Sequence, residues 1–103
     1  MRGDVHQVRF TGTGHEQQGQ RYAVVVQASG FDLSTILVCP TSTSARPALL
    51  HPTVVWDAAG TETQVLTEQL RAVDNKVLGP MVGHLLHDDM ERITEAIGII
   101  LDL

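Results

Sequence analysis

The sequence has little cysteine and no long hydrophobic run, and both absences narrow the class of protein. Cys39 is the single cysteine among 103 residues, which excludes an internal disulfide and fits a reducing compartment. No apolar run approaches the roughly 20 residues that a membrane-spanning helix needs, and the start Met1–Asp4 carries no signal-like apolar segment. With 43% hydrophobic and 18% charged residues, we expect one soluble globular domain over residues 1–103, cytoplasmic and without a membrane partner.

Basic residues are also scarce. Lys and Arg number 7 against 12 Asp and Glu, and the net charge of -5 argues at first against a nucleic-acid partner. The acidic excess lies in the second half, because residues 52–103 carry Arg71, Lys76 and Arg92 against nine acids. The first half is therefore neutral to slightly basic and can still hold a polyanion, while the second half faces water or a basic partner.

Short segments rich in β-branched residues predict five strands before residue 72. They are Val5–Phe10, Arg21–Ala28, Ser34–Ser44, Pro52–Asp57 and Thr63–Leu70. A polar, glycine-rich loop follows the first strand from Thr11 to Gln20, and Pro40 limits how far the ladder of the third strand can continue. Further turns are predicted at Asp74, Asn75, Gly79 and Pro80.

The last part of the chain predicts one amphipathic helix from about Asp88 to Leu101. Apolar residues recur there at spacings of three and four, and Asp88 and Asp89 lie where a helix start favours negative charge. The end Ile99–Leu103 is expected to pack rather than to form an exposed binding tip. Several short strands closed by one C-terminal helix predict a small, strongly bent sheet or partly open barrel.

Two other sites are conceivable but are disfavoured by their surroundings. Cys39 with one of the five histidines has the makings of a nucleophile and base, yet this cysteine lies inside an apolar strand, where cysteine usually is a small buried hydrophobe. His84, His87, Asp88 and Asp89 offer metal ligands, but their spacing matches no recognised zinc site. We therefore expect neither a metal site nor a cofactor.

Arg21 and the hydroxyl cluster Thr41–Ser44 give a sharper hypothesis. Arg21 opens one predicted core strand and the hydroxyls close another, so adjacent strands can bring them to the same sheet edge. An arginine there can bind phosphate through paired hydrogen bonds and counter charge on a phosphorane. On chemistry alone, a solvated arginine and a serine-rich turn remain slightly favoured.

Five segments, taken in order, resemble the MazF/PemK toxins, and together they cover nearly the whole chain. They are RGDV at Arg2–Val5, GHEQQGQRYAVVV at Gly14–Val26, LVCPTSTS at Leu37–Ser44, EQLRAVDNKVLG at Glu68–Gly79 and LLHDDMERITEAIGIILDL at Leu85–Leu103. The resemblance implies a mainly β fold, an SH3-like, partly open barrel of about five to seven strands with a C-terminal amphipathic helix. It also implies a homodimer that cleaves single-stranded RNA at short sequences without metal, held inactive by a cognate, MazE-like antitoxin.

The resemblance implies a role for individual residues as well. The catalytic arginine of the family falls on Arg21, its motif glutamate on Glu16, and its catalytic threonine on Ser42, or on Thr41 after a one-residue shift. The residues implied to contact RNA are His15, Gln17, Thr41, Thr43, Gln69 and Arg71.

Two residues depart from the family pattern. Tyr22 stands where proline usually follows the arginine, and Ser42 lacks the methyl group that fixes the rotamer of a threonine. The main competing function is that of the CcdB-type toxins, which share this barrel but poison DNA gyrase through their C-terminal helix. A barrel that has lost catalysis and only binds a partner is the third possibility.

Overall fold

Seven β-strands and one α-helix form the fold across the residues that the computed structural model describes, which are 1–11, 14 and 19–103. The elements are β1 (Asp4–Phe10), β2 (Gly19–Val25), β3 (Thr35–Ser42), β4 (Thr53–Val54), β5 (Thr63–Val65), β6 (Arg71–Asp74), β7 (Leu78–His84) and α1 (His87–Leu101). Short 3-10 turns at Thr67–Gln69 and Asn75–Val77 flank β6.

The strands form one curled antiparallel sheet in the order β4-β5-β3-β2-β1-β7. β3 pairs with β6 over Thr35–Val38 and with β5 over Thr41–Ser42. Pro40 lies between the two ladders, where a residue that cannot donate a hydrogen bond is tolerated. This change of partner gives the sheet its half-barrel shape.

Hydrophobic side chains cover both faces of the central strands. In β2, Val24 belongs to the core beneath the helix, whereas Ala23 and Val25 belong to the core inside the curl of the sheet. A strand that is buried on both faces needs an unbroken apolar run, which accounts for the Ala23–Val26 segment. β2 and β3 are thereby held firmly at the centre of the fold.

The helix α1 packs its apolar stripe on the sheet through Met90, Ile93 and Ala96. Asp88 and Asp89 lie in its first turn, as predicted, and Asp102 ends it in the left-handed conformation. None of the helices in the described part of the chain is both long and apolar enough to cross a membrane.

The prediction of a packed C-terminal end is wrong. Ile99 and Leu101 are about half exposed, and Leu103 is 94% exposed. The apolar stripe that seats the helix lies on its other face and ends before these residues, so the last turn leaves apolar side chains in water.

The predicted fold class, a mainly β, partly open barrel with a C-terminal helix, is confirmed. The prediction of turns at Gly79 and Pro80 is wrong, because both residues lie within β7. β7 ends the strand order, where proline is tolerated, and a Cβ at Gly79 would come 2.8 Å from the Gln7 carbonyl oxygen. The fifth predicted strand is also shorter than expected, since β5 ends at Val65 and Thr67–Gln69 form a 3-10 turn.

Candidate functional site

A cavity of about 560 Å³ opens where β2 begins and β3 ends. Its size falls within the roughly 300–1,000 Å³ typical of small-molecule sites. Its walls carry hydroxyl groups, one arginine, one carboxylate and two aromatic rings. The lining residues are Gln20, Arg21, Tyr22, Thr41, Ser42, Thr43, Ser44, Trp56, Asp57, Thr61 and Thr63.

Arg21 stands near the start of β2, directly before the segment that is buried on both faces. The pairing of Ala23 with Pro40 sets the register of β2 against β3. Arg21 and Ser42 each lie two positions beyond this last pair of the ladder, and both line the cavity. Because Arg21 is exposed while Ala23–Val25 are buried, a charged side chain is mounted on a rigid strand.

The neighbouring hydroxyls of Thr41 and Ser42 have different environments. Thr41 is 4% exposed, and its Oγ1 donates to the Tyr22 carbonyl oxygen at 2.9 Å, so this hydroxyl ties β3 to β2. Ser42 is half-buried, and its Oγ accepts from the backbone N–H groups of Ser44 (3.2 Å) and Ala45 (3.1 Å). Ser42 Oγ also lies 3.2 Å from Ser44 Oγ. The Ser42 hydroxyl is thus the more accessible of the two.

The buried side-chain amide of Gln64 supports the backbone of the hydroxyl segment Thr41–Ser44. Gln64 is 4% exposed on β5, and its amide is assigned the orientation that gives both side-chain atoms complementary partners. In that orientation the nitrogen of Gln64 donates to the carbonyl oxygens of Ala45 (3.1 Å) and Ser42 (3.2 Å). Its side-chain oxygen accepts from Thr53 Oγ1 at 3.0 Å. Gln64 therefore fixes the backbone that carries Ser42, which is the role of a positioning residue.

Two aromatic rings meet at the cavity. The ring centroids of Tyr22 and Trp56 are 5.0 Å apart, with an angle of 61° between the ring planes. Trp56 packs against the core beneath the helix and against Gly83, where a Cβ would lie 3.1 Å from the indole Cε3. A larger residue at Gly83 would push against the indole, so the glycine helps to hold Trp56 in place.

Asp57 supplies a carboxylate to the same wall. Its Oδ1 accepts from the backbone N–H of Thr61 at 2.9 Å, and this hydrogen bond is the main reason why the pKa of Asp57 is lowered. A carboxylate with a lowered pKa is ionised at neutral pH. The cavity therefore presents both a positive and a negative group, Arg21 and Asp57, to an occupant.

The structure brings some of the predicted site residues together and separates others. Arg21, Thr41, Ser42 and Thr43 all line the cavity, whereas Gln69 and Arg71 are not among its lining residues. Glu16, His15 and Gln17 lie outside the residues that the structure describes.

Arg71 does not line the cavity, but its guanidinium packs on Phe10, which pairs with Gly19 directly before the cavity residues Gln20 and Arg21. Its guanidinium lies 4.0 Å from the centroid of the Phe10 ring, and its Nη1 donates to the Thr11 carbonyl oxygen at 3.2 Å. On the sheet, Arg71 pairs with Val38, four positions before Ser42, or about 13 Å along the strand. Arg71 is thus placed to support the β1 end rather than to line the cavity.

Sequence reasoning missed Trp56, Asp57 and Gln64. The predicted strands Pro52–Asp57 and Thr63–Leu70 account for all three residues, so neither pattern assigns them to a site. The sequence offers one usable signal, which is its single tryptophan. Trp56 stands beside an acidic residue and a turn, and an ordinary core residue is unusual at such a place.

The structure shows the surroundings of Cys39 and of the histidines His84 and His87. Cys39 is fully buried, and burial raises the pKa of its thiol to about 12, so the thiol stays protonated and unreactive. His84 Nδ1 lies 2.7 Å from Asp4 Oδ1, and His87 Nε2 lies 2.8 Å from Glu91 Oε1. Each of these histidines therefore engages an acid of its own.

The curled sheet with its C-terminal helix matches the fold of several solved structures. The structure of MazF from Deinococcus radiodurans superposes with a TM-score of 0.85 at 21% identity, covering 99% of this chain and 96% of that one. An endoribonuclease from a mycobacterial species, solved in complex with its cognate antitoxin, superposes with a TM-score of 0.80 at 17% identity, covering 100% and 95%. At these identities the likeness establishes the fold alone.

Sequence comparison establishes the family. The family described as the PemK-like, MazF-like toxin of type II toxin-antitoxin systems matches residues 1–101. The candidate toxin Rv3098A of Mycobacterium tuberculosis is 39% identical over 106 residues, covering 100% of this chain and 98% of that protein. The chain belongs to the PemK-like, MazF-like family of toxins of type II toxin-antitoxin systems.

Proposed function

We propose that this toxin is a metal-independent endoribonuclease that cleaves single-stranded RNA at short sequences. The observation that supports the proposal is the convergence of Arg21 and the accessible Ser42 hydroxyl on one cavity at adjoining strand ends. A guanidinium beside a hydroxyl offers what a phosphodiester needs, namely a positive charge for the phosphate and a proton donor for its oxygens.

The proposed reaction uses the substrate's own nucleophile. The 2'-hydroxyl of the nucleotide before the cut attacks the adjacent phosphorus and loses its proton, with Glu16 assigned to assist as base. The bond from phosphorus to the 5'-oxygen breaks, and that oxygen takes up a proton from water, which balances the proton removed from the 2'-hydroxyl. The products are a 2',3'-cyclic phosphate upstream and a 5'-hydroxyl downstream.

Arg21 counters the negative charge that grows on the phosphorane. Ser42 Oγ accepts two backbone N–H groups, so its own proton is the part of the hydroxyl that remains to be donated, either to Ser44 Oγ or to a phosphate oxygen. This arrangement favours Ser42 over Thr41 as the hydroxyl that contacts substrate.

The proposed function is tested by incubating the purified protein with a long single-stranded RNA and mapping the cut sites by primer extension. We expect cuts within a short recurring sequence, in the presence of EDTA, with 2',3'-cyclic phosphate ends. A substrate with 2'-deoxyribose on the 5' side of the cut resists cleavage under this mechanism. Loss of cutting in EDTA, or cleavage of that deoxy substrate, contradicts it.

We also propose an antitoxin partner that competes with RNA for the neutral to slightly basic first half of the chain. Support comes from the mycobacterial relative of this fold that was solved with its cognate antitoxin, and from the excess of acidic residues in the second half. Hydrogen exchange with the bound antitoxin should protect the surface formed by residues 1–51. A footprint confined to residues 88–103 contradicts this assignment.

A homodimer is the assembly that we propose. β7 ends the strand order and exposes Met81 and Val82, which gives the sheet an apolar edge for a two-fold partner to cover. Light scattering at micromolar concentration is expected to give twice the mass of the chain, and a monomer at that concentration contradicts the proposal.

The gyrase-poisoning alternative retains one supporting observation. Ile99, Leu101 and Leu103 expose apolar side chains at the C-terminal end of α1, where such toxins concentrate their function. A DNA supercoiling assay with purified gyrase separates the two functions, because a ribonuclease leaves supercoiling unchanged whereas a gyrase poison traps cleaved DNA.

A further inference from the structure

The Tyr22–Trp56 pair is the feature of the cavity that the cleavage chemistry leaves unused. We propose that this pair stacks an unpaired base of the RNA beside Arg21, and that Asp57 makes the position select a base with an exocyclic amino group. The inference rests on the proposed endoribonuclease function, since it assigns part of the RNA to the same cavity.

The two rings form a fixed surface rather than a pair of loose side chains. Trp56 is held by the core beneath the helix and by Gly83, and Tyr22 meets it edge to face at 5.0 Å. Tyr22 keeps 39% of its surface exposed although it packs on Trp56. Because an edge-to-face pair leaves ring faces uncovered by its partner, aromatic area remains for a base to stack on.

The location of the pair suits the base of a nucleotide whose phosphate lies on Arg21. Successive side chains of a strand point to opposite faces, so Arg21 and Tyr22 reach the cavity from the two faces of β2, and both line it together with Trp56. Base and phosphate are neighbouring parts of one nucleotide, so a phosphate at the guanidinium brings a base within reach of the rings. Stacking on an aromatic side chain is a common way in which proteins bind unpaired RNA bases.

Asp57 adds a preference among the bases. It follows Trp56 directly and lines the same cavity, and its hydrogen bond from the Thr61 N–H keeps the carboxylate ionised. A carboxylate accepts hydrogen bonds from the amino groups of cytosine, adenine or guanine. Uracil offers a ring N–H between two carbonyl oxygens that the carboxylate repels. The position is therefore expected to accept cytosine more readily than uracil.

Tryptophan emission provides a direct measurement, because Trp56 is the only tryptophan in the chain. Short oligodeoxynucleotides of cytosine or of uracil serve as probes, since they lack the 2'-hydroxyl and cannot be cleaved by the proposed mechanism. We expect oligo-dC to quench the emission on binding and oligo-dU to bind more weakly. Fluorescence polarisation of labelled oligonucleotides gives the affinities independently of the quenching.

Three variants separate stacking from base selection. Tyr22→Ala should weaken oligo-dC binding about ten- to a hundredfold, as expected for loss of one stacked base, whereas Tyr22→Phe keeps the ring and should bind almost normally. Asp57→Asn keeps an oxygen for the Thr61 N–H but removes the charge. It should reduce the preference for oligo-dC over oligo-dU without abolishing binding.

The outcomes distinguish this inference from the function on which it rests. If RNA is cut but Tyr22→Ala changes neither oligonucleotide affinity nor the cut sites, the stacking position is wrong and the endoribonuclease function stands. If no RNA is cut but oligo-dC still quenches Trp56 and depends on the Tyr22 ring, the base site stands and the proposed reaction is wrong. Saturating oligo-dC that leaves the Trp56 emission unchanged overturns the inference.

Discussion

The cavity and the helix side of the molecule are built from different interactions. At the cavity, side-chain hydroxyls and the Gln64 amide bind backbone groups, and Arg21 and Asp57 reach the surface. On the helix side, Ile93 and its neighbours fill an apolar core, and acids such as Glu91 cover the outer face. The comparison indicates that the helix side stabilises the fold whereas the cavity carries the chemistry.

The largest expected effect belongs to Arg21. Arg21→Ala should slow RNA cleavage by a factor on the order of a hundred or more, because it removes the group assigned to the phosphorane charge. Its free energy of unfolding should change little, since the side chain is exposed. Single-turnover cleavage rates and urea unfolding test the two parts of this prediction.

Arg92→Ala is the matched control on the helix side. Arg92 is also an exposed arginine. Its Nη2 donates to Asp89 Oδ1 at 2.6 Å and to the Thr53 carbonyl oxygen at 2.8 Å. It should cleave RNA at the normal rate. Equal losses of activity in both variants would mean that overall positive charge, rather than the position of Arg21, drives the reaction.

Ile93 on α1 is expected to affect stability rather than activity. Ile93→Ala should lower the free energy of unfolding by about 2–5 kcal/mol, because the side chain is completely buried in the core beneath the helix. The fraction that remains folded should cleave RNA normally. Ile99→Ala, on the exposed side of the same helix, should change stability by less than about 0.5 kcal/mol. Urea titration followed by circular dichroism measures both, and similar losses would contradict the assignment of the core face.

Strands and helix were predictable where the hydrophobic pattern is strong. The Ala23–Val26 run and the three- and four-residue spacing of α1 identify their elements because burial alone dictates those residues. β7 escapes prediction because Gly79, Pro80 and Gly83 interrupt its pattern, and β6 because it has only four residues and runs directly into Asp74 and Asn75. Gly79 is needed for close approach to β1, and Pro80 is tolerated in the last strand of the order, so tertiary context overrides the local signal.

The site was predictable only in part. Arg21 and Ser42 share a cavity because neighbouring strands end together, a relation that strand order and chemistry suggest in advance. Trp56 and Asp57 come from a segment between two short strands, β4 and β5, whose path no periodicity determines. Their arrival at the cavity depends on the fold as a whole, so apart from the single tryptophan the sequence patterns do not indicate it.

Within the cavity, Ser42 is expected to affect the cleavage rate and Thr41 the stability of the fold. Ser42→Ala should slow cleavage about ten- to a hundredfold, because it removes the accessible hydroxyl. It should cost less stability than Thr41→Val, because water can reach the backbone N–H groups of Ser44 and Ala45 that it leaves behind. Thr41→Val should instead cost about 1–2 kcal/mol of stability, since the Tyr22 carbonyl oxygen loses its buried donor. Single-turnover rates and urea midpoints distinguish the two. A large loss of activity in Thr41→Val alone would transfer the catalytic assignment to Thr41.

The smallest expected effect is an electrostatic one between β1 and β7, away from the cavity. Asp4, opposite His84 in the pairing of β1 with β7, has a side chain only 13% exposed. Burial alone would raise the pKa of Asp4, but the hydrogen bond from His84 and the positive charge of the N-terminus together lower it. The folded protein therefore binds this proton less readily than the unfolded chain. The resulting stability is complete above the ordinary pKa of 3.8 and is lost as the pH falls through the lowered value.

Asp4→Asn removes the charge with little change of shape and tests that dependence. It should lower the free energy of unfolding by less than about 1 kcal/mol at pH 7, because the His84 partner is half exposed and screened by water. The difference from the unmodified protein should shrink below pH 3.8 as Asp4 itself becomes protonated. The control is Asp32→Asn, which removes an exposed carboxylate between β2 and β3. It should leave the fall in the free energy of unfolding at low pH unchanged. A deficit in Asp4→Asn that persists undiminished at pH 2 would mean that shape, rather than charge, accounts for the role of Asp4.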